Sequence, residues 1–495
     1  MFDLTSSNPQ GSFVCGCPES MRSACTGEGF FRKHESSEYC VLHYSAADKK
    51  DEFKEALKRK LAVNNYDFSG VWFPEEVSFY NQRIPEQANF VGAVFNEEVS
   101  FIRAVFDGEA NFNNVTFKGS ALFQASTFAS QAHFSRAIFQ RGARFRAAEF
   151  NGLANFSSAV FTEQVEFNHV VFNKPAIFDG STFKAAGEFH SSEFRSGGNF
   201  SQVIFAAAAR FSSAKFNERT NFIGTTFEKK ADFTSSRFEA EADFTSAAFL
   251  DQATFAGTVL NKVFGKQSSL NLQHARIETP HRILFHTIFL LPHWFINVNS
   301  RGFDFANVEW GDRSIQEDID VLGKKGVSPP HRLLQIAYRN LALNAEENHR
   351  YVEASDFRYK SMESQRLEPR QGRWSWNLGG VYWLASGYGE RVLRAFTVLM
   401  GIWLLAGLLY MYVGFARGQP APGCETNVIR NEPDKTGEPL NWKHALTYSL
   451  GVMTLQRPEP PPVTLSAKSV VLLETVLGPV QAALLALAIR RQFMR

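Results

Sequence analysis

The sequence predicts a mainly β protein in which a repetitive solenoid is followed by a helical hairpin and two transmembrane helices. Three observations lead to this fold class: Phe recurs at a fixed spacing over the middle of the chain, residues 329–370 show helical spacing, and two long apolar segments lie near the end. The 495 residues include 49 Phe against 12 Tyr and 8 Trp, an imbalance that a repeat explains and ordinary core packing does not.

The repeat has a true period of eleven residues. From Phe90 to Phe255, steps of five and six alternate, and each of the 31 positions given by that rule is Phe. A small or β-branched residue precedes each Phe by two positions. The register extends upstream through Phe68, Phe73 and Phe79.

An eleven-residue apolar period also suits a right-handed helical supercoil. At roughly 98° per residue, however, the four apolar positions of each period scatter around a helix and form no single stripe. The residues between them are rich in Asn, Ser, Thr and Gly, which favour turns and strands. The spacing therefore predicts short strands separated by corners.

This pattern resembles the bacterial pentapeptide-repeat family, and the resemblance extends from Phe68 to beyond Phe255. Members coil as a right-handed quadrilateral β-helix, with a bulky residue at the centre of each face and a small one two positions earlier. The resemblance implies this β-helix over residues 66–310, with Phe rings stacked in columns. The sixth residue in every second face implies a coil of about 22 residues, one looser corner per pair of faces, and eight or nine coils between residues 68 and 255.

Residues 1–65 form a Cys-rich segment that we expect to cap the β-helix. Cys17, Cys25, Cys40 and His43 supply the sulfur and nitrogen donors of one tetrahedral structural zinc site, and Cys40-x-x-His43 has the spacing of a chelating turn. Cys15 is then a surplus thiol. Similar Cys-rich leaders ending in Cys-x-x-His precede the repeats of related proteins. The alternative is a set of reduced, partly buried cysteines without metal.

Residues 48–63 combine apolar residues at helical spacing with many charges, which predicts an amphipathic helix that closes the first coil. The N-terminus has neither the basic nor the apolar region of a secretory signal peptide. We therefore expect the first part of the chain to stay in the cytoplasm, where cysteines remain reduced.

The region after the repeat contains a short apolar run within residues 276–310, about a dozen residues and too few to cross a bilayer. We expect the last, irregular strands of the β-helix there; the alternative is a segment at a membrane interface. Residues 311–370 form a linker in which 329–370 predict two helices. Such a hairpin looks like the one that joins repeat and membrane parts in related bacterial proteins, a likeness carried by Tyr338, Ala354, Phe357, Tyr359 and Arg366.

The last region, residues 371–495, contains two candidate transmembrane helices at about 395–416 and 469–489. Basic residues precede the first segment and follow the second. They are Arg391 and Arg394 before the first, and Arg490, Arg491 and Arg495 after the second. By the positive-inside rule, both termini and the repeat domain are cytoplasmic.

Between the two spans, residues 441–455 predict a short amphipathic helix followed by a polar turn. This order resembles the two-transmembrane ion-channel family from the first span to the second, most closely at Tyr448, Ser449, Thr454, Glu474 and Gly478. The Thr-Val-Gly-Tyr-Gly signature of potassium channels is absent, so potassium selectivity is not implied. An arginine in the turn disfavours cations in a narrow pore, or it lies at the outer rim and pairs with Glu459.

The sequence thus favours a channel-like, pore-forming homo-oligomer in a membrane. Its pore candidates are Thr454, Leu455, Gln456, Arg457, Glu474 and Gln481. The alternative is a membrane-anchored scaffold whose repeat rod binds a protein partner.

Other functions are disfavoured by the composition. Residues 66–260 contain 16 Lys and Arg against 21 Asp and Glu, which is too weakly acidic for the DNA mimicry of soluble pentapeptide-repeat proteins that shield gyrase. The overall net charge of +2 indicates no nucleic-acid partner. We find no phosphate-binding Gly loop, nucleophile elbow or paired carboxylates, and we expect no enzyme.

Overall fold

The computed structural model describes residues 13–257, 268–368, 378–416 and 438–493. The chain divides into two compact units, Met1–Asp312 and Arg313–Arg495. The first unit contains an N-terminal cap and a four-sided parallel β-solenoid, and the second is helical. Arg495, one of the basic residues used to orient the spans, lies outside the described residues.

The solenoid consists of four parallel sheets, and each strand pairs with the strands one coil before and one coil after it. The first face runs from Trp72–Phe73 to Ala248–Phe249 and then Arg276–Ile277; the second runs from Val77–Ser78 to Ala231–Asp232 and then Ala253–Ala256, Ile283–Leu290 and Asp304–Trp310. The third runs from Arg83–Ile84 to Arg237–Phe238; the fourth runs from Ala88–Asn89 to Thr220–Asn221 and then Glu241–Asp243 and Ser269–Asn271. The faces contain 8 to 11 strands, so the solenoid makes about ten turns. The predicted coil length is confirmed, because Phe117 pairs with Phe95 on one side and with Phe139 on the other.

The phenylalanines fill the interior as stacked columns, as expected. Phe134 has no exposed surface, and its ring stacks on Phe112 and Phe156 at centroid distances of 4.8 Å and interplanar angles of 2° and 3°. Phe123 and Phe145, on a different face, meet it edge to face at 5.5 and 5.7 Å. Each ring therefore has stacked neighbours above and below and edge contacts across the core, both favourable aromatic geometries.

The corners alternate between two forms, which explains the steps of five and six. Corners that lead into the first and third faces contain a residue with positive φ every eleven positions, beginning at Gly70 and ending at Ser246. In these turns the backbone closes a bond such as Ala93 N–H to Phe90 O, 2.9 Å. Corners that lead into the second and fourth faces contain the additional residue. The looser corner predicted from the sequence therefore occurs once in each pair of faces.

The solenoid ends in two longer strands, Ile283–Leu290 and Asp304–Trp310, which pair in parallel. Phe285 continues one Phe column, stacking on Phe255 at 5.1 Å and on Phe305 at 5.5 Å. The interpretation of residues 276–310 as irregular final strands is confirmed.

The cap covers the first coil. It contains a 3-10 helix Glu19–Cys25, an antiparallel hairpin of Arg32–His34 and Ser37–Tyr39, a short 3-10 helix Ala47–Lys49, and helix α1, Lys50–Ala62. Phe53 of α1 is buried, and its ring lies 5.4 Å from that of Phe73 in the first coil. Leu42 O accepts the Trp72 N–H at 3.0 Å, which protects an otherwise open strand edge. The predicted capping helix is confirmed.

The helical unit begins with α2 (Ile315–Lys324), α3 (Pro330–Glu347) and α4 (Tyr351–Arg366). The last two form the predicted hairpin, with Leu334, Ala337 and Leu341 buried on α3 and Ala354 and Phe357 buried on α4. Met362 has helical spacing relative to Ala354 and Phe357, but it is 38% exposed. Helix α2, which begins with a Ser314–Glu317 capping box, was not predicted.

The chain continues with α5 (Leu378–Ser386), α6 (Val392–Tyr410), α7 (Trp442–Met453) and α8 (Leu465–Phe493). Segments Val392–Tyr410 and Leu465–Arg491 are long and apolar enough to cross a membrane, and 17% of the most apolar 18-residue window of each is buried. Helix α6 ends six residues earlier than expected because the chain turns there and Phe415 pairs with Glu438 and Pro462. Helix α7 packs against both α6 and α8.

Candidate functional site

The first candidate site is a cluster of thiols and one imidazole in the cap. Cys25 ends the 3-10 helix and Cys40 directly follows the hairpin, so secondary structure fixes both sulfur atoms. The ligand atoms of Cys15, Cys17, Cys25 and His43 all lie within 4.8 Å of one another. These four residues are able to hold a metal ion.

Cys40 lies against the same cluster and makes a fifth donor. Its Sγ is 3.6 Å from Cys25 Sγ, 3.8 Å from Cys15 Sγ and 3.3 Å from His43 Nδ1. Around a tetrahedral zinc ion with Zn–S bonds of about 2.3 Å, sulfur ligands lie roughly 3.8 Å apart. The structure therefore brings the predicted ligands into one region and adds Cys15, which spacing alone had left as surplus. The choice of Cys17, Cys25, Cys40 and His43 as the four ligands stays a prediction.

The orientation of His43 suits metal binding. Its Nε2 lies 2.8 Å from Ser69 O, a carbonyl that can only accept, so Nε2 carries the hydrogen and Nδ1 faces the sulfurs. Metal-bound histidines commonly fix their free nitrogen in this way. Because Ser69 belongs to the first coil, this contact also joins the metal cluster to the start of the solenoid.

A buried cation lies next to the cluster. Lys49 has no exposed surface, and its Nζ donates to Val41 O at 2.5 Å and to Leu42 O at 3.0 Å, both between Cys40 and His43. Burial lowers the pKa of Lys49 to about 7, although the charge of Cys40 opposes that change. Thiolates around a metal would favour the charged ammonium, because three thiolates and one divalent ion carry a net negative charge.

Burial raises the pKa of the Cys17 thiol to about 11, and the nearby charge of Cys15 acts in the same direction. Several thiolates cannot share so small a volume without a compensating cation. A bound metal ion would supply that charge and keep the sulfurs deprotonated. The donor set of soft sulfurs and one imidazole is the type that zinc prefers.

The second candidate site is the short non-helical stretch that follows α7, residues 454–457, which we call the 454–457 loop. Its four residues Thr454, Leu455, Gln456 and Arg457 are all exposed on the single chain. Met453, the last residue of α7, packs against Gly478 in the middle of α8, where an added Cβ would lie 2.9 Å from Met453 Cγ. No ion pair of Arg457 is seen among the described residues, so the alternative in which it pairs with Glu459 is not supported by a contact.

The buried side chain of Glu474 on α8 contacts both α6 and α7. It is 3% exposed, its Oε2 accepts the Tyr410 hydroxyl of α6 at 2.5 Å, and its Oε1 accepts the Ser449 hydroxyl of α7. The Ser449 hydroxyl has a second possible acceptor, the carbonyl oxygen of Trp403 on α6, at 3.1 Å. Glu474 therefore contacts groups of its own chain, and its role in a pore stays a prediction.

Gln481 is likewise 3% exposed. Its Nε2 donates to Ala385 O of α5 at 2.7 Å and to Ala395 O of α6 at 2.8 Å. Ala385 lies at the end of α5, where intrahelical donors for the carbonyls run out. Gln481 therefore fastens α8 to the turn between α5 and α6, and its role in a pore also stays a prediction.

Sequence reasoning missed a buried cluster of ion pairs at the turn between α5 and α6. The Glu390 side chain is 2% exposed, and its Oε1 lies 2.9 Å from Arg358 Nε of α4 and 3.0 Å from Arg491 Nη1 of α8. The same Arg491 nitrogen donates to Tyr388 O at 3.1 Å. The sequence signal was a single acidic residue placed immediately before Arg391 and the first span, but nothing in it identified the partners.

Comparison with known proteins identifies the repeat. A family model described as pentapeptide repeats (9 copies) matches residues 83–127 and 101–149. No curated protein and no solved structure matches the chain significantly. The matched residues lie entirely within the four-sided coils with Phe at the centre of their faces. Within the β-solenoid, residues 83–149 therefore match pentapeptide repeats.

Proposed function

We propose that the helical unit is embedded in a membrane and that several copies surround a pore lined by the 454–457 loop. The repeat domain is then cytoplasmic, with its cap held by a structural zinc ion. One observation carries the proposal: a polar, non-helical loop lies level with the middle of both apolar helices and is exposed on the single chain.

The depth of the loop follows from its contacts. Gly478, which packs against Met453, is 13 residues from the start of α8, or about 20 Å at 1.5 Å per residue. Trp403 Nε1 donates to Leu446 O at 3.1 Å, and Trp403 is seven residues, about 10 Å, from the end of α6. Helix α7 therefore descends beside both spans and ends near the centre of a hydrocarbon core about 30 Å thick.

Lipid does not tolerate such a loop. Backbone groups outside a helix at membrane depth occur only where protein buries them or where they line a water-filled cavity. The described chain leaves all four loop residues exposed. In a ring of copies, neighbouring chains would bury part of the loop and a central aqueous path would hydrate the rest.

The orientation rests on the basic residues at one end of the helix pair. Arg491, at the end of α8, contacts Tyr388 and Glu390 just before α6, so α6 and α8 run antiparallel with Arg391, Arg394 and Arg490 at the same end. The positive-inside rule places that end in the cytoplasm. Protease treatment of inside-out vesicles should digest the repeat domain; a protected repeat domain would contradict this orientation.

A second candidate function is an anchored scaffold whose repeat rod binds a protein partner. Glu474 and Gln481 favour it, because both of these buried side chains of α8 form hydrogen bonds within one chain. An anchor of this kind needs no assembly. It leaves the exposed 454–457 loop without an explanation.

The first test is the mass of the detergent-purified full-length protein by light scattering. We expect a ring of several copies, and a monomer would leave only the anchored scaffold. Planar-bilayer recording then tests conduction, with Gln456→Trp expected to reduce the current by obstructing the loop. The matched control is Leu465→Trp, at a position 83% exposed at the outer start of α8, which should conduct normally. An oligomer without current would refute the pore.

A further inference from the structure

We infer that Arg457 makes this pore selective for small monovalent anions. The inference rests on the proposed function and adds the class of permeating ion. In a symmetric ring, each copy would contribute one Arg457 at mid-membrane depth, where rings of basic side chains favour anions. Gln456, beside it and also exposed, adds amide N–H donors but no charge.

The last carbonyls of α7 accept hydrogen bonds from the 454–457 loop and are not free to coordinate a cation. At the end of α7, Leu450 O accepts the Thr454 N–H at 3.1 Å, and Gly451 O accepts the Gln456 N–H at 2.9 Å. Val452 O accepts the Leu455 N–H at 3.0 Å. The Thr454 hydroxyl lies 3.0 Å from both the Leu450 and the Gly451 carbonyl.

These bonds change the electrostatics of the helix end. The C-terminus of a helix carries partial negative charge on its free carbonyls, which would attract a cation. In α7 three of those carbonyls are already bonded by donors of the loop itself. The loop closes tightly because Leu455 has a φ of 60° and Pro458 packs against Gly451. The full guanidinium charge then outweighs what remains of the helix dipole.

Neither Glu474 nor Glu459 forms an ion pair with Arg457 among the described residues. Glu474 directs both oxygens toward Tyr410 and Ser449, inside the helix packing and away from the exposed side of the loop. Glu459, two residues beyond Arg457, makes no ion pair with it in the part of the chain that the structure describes. Arg457 is exposed on the single chain, and in the proposed ring its positive charge would face the axis.

Reversal potentials test the inference. The full-length protein in planar bilayers under a potassium chloride gradient should reverse close to the chloride equilibrium potential. Arg457→Gln should still conduct, with the chloride-to-potassium permeability ratio lower by about tenfold or more. Arg457→Lys keeps the charge and should keep the anion preference. Arg490→Gln, at an arginine outside the loop, is the matched control and should reverse like the wild type.

Each outcome decides one question. Reversal of the wild type near the potassium potential, or an unchanged ratio in Arg457→Gln with normal assembly, would overturn the anion assignment while leaving the pore intact. Absence of current in an assembled wild-type protein would instead refute the proposed pore, and the anion assignment with it. Size-exclusion profiles that match the wild type exclude misfolding as the cause of any change.

Discussion

Removal of the Glu474 carboxylate should release α7 from the two long helices. In the wild type, Glu474 accepts one hydroxyl from α6 and one from α7, so a single buried side chain connects all three helices. Glu474→Leu keeps a side chain of similar size but removes both acceptor oxygens. Ser449 can turn its hydroxyl to Trp403 O, 3.1 Å away, whereas the Tyr410 hydroxyl has no second acceptor among the described residues.

The expected magnitude follows from that difference. One buried hydroxyl left unsatisfied costs about 1–3 kcal/mol. The equilibrium constant for local opening of α7 should therefore rise roughly 5- to 150-fold, since about 1.4 kcal/mol is a factor of ten. Glu474→Gln should change little, because its amide oxygen can accept the Tyr410 hydroxyl while its NH₂ group donates to Ser449.

Hydrogen exchange measured by mass spectrometry in detergent reports this opening. Peptides covering α7, Trp442–Met453, should exchange faster in Glu474→Leu and at the wild-type rate in Glu474→Gln. The double variant Tyr410→Phe with Glu474→Leu removes the stranded hydroxyl and should recover most of the protection, since apolar replacement of both partners is nearly neutral. Unchanged α7 exchange in Glu474→Leu, or a double variant worse than the sum of its parts, would refute the reasoning.

Three further predictions concern other parts of the chain. Cys25→Ala should abolish stoichiometric zinc in the purified protein measured by mass spectrometry of metals, whereas His34→Ala, an exposed histidine outside the cluster, should retain it. Phe134→Ala should destabilise its coils by about 3–5 kcal/mol, seen as faster hydrogen exchange there, and the outward-facing Ile138→Ala on a neighbouring face should not. Glu390→Gln should weaken both arginine contacts and speed exchange in α4; unchanged α4 exchange would contradict a clamping role.

The sequence was sufficient for the solenoid because one geometric rule governs it. Each inward position must be filled by a side chain that stacks on its counterpart in the next coil, as Phe117 stacks on Phe139, so Phe recurs wherever a face has its centre.

The corners were harder to anticipate. Positive φ angles favour Gly and Asn, yet many corner positions carry other residues, such as Ala125, Arg136 and Ser158. Ladder bonds to the neighbouring coils hold these residues in place, and composition alone does not reveal that.

The candidate sites show where sequence reasoning stops. Spacing identified Cys40 and His43 as a chelating pair, but the close approach of Cys15 depends on a hairpin and a 3-10 helix that bring distant residues together. In α8, length and hydropathy identified the span but not which side of it each polar residue occupies. Glu474 was therefore expected at a pore, whereas its contacts lie within the chain.

The cost of exposing the 454–457 loop to lipid separates the pore from the anchor. An arginine at the centre of a span costs about 2.5–3.5 kcal/mol on insertion scales, and any backbone carbonyl of the loop left without a donor adds several more. Snorkelling relieves this cost only near helix ends, whereas the contacts of Met453 place the loop near the middle of α8. A monomeric anchor would carry that cost in every molecule without using the loop. In a ring of copies the same residues face water, so the feature that is costly for an anchor is the one that a pore requires.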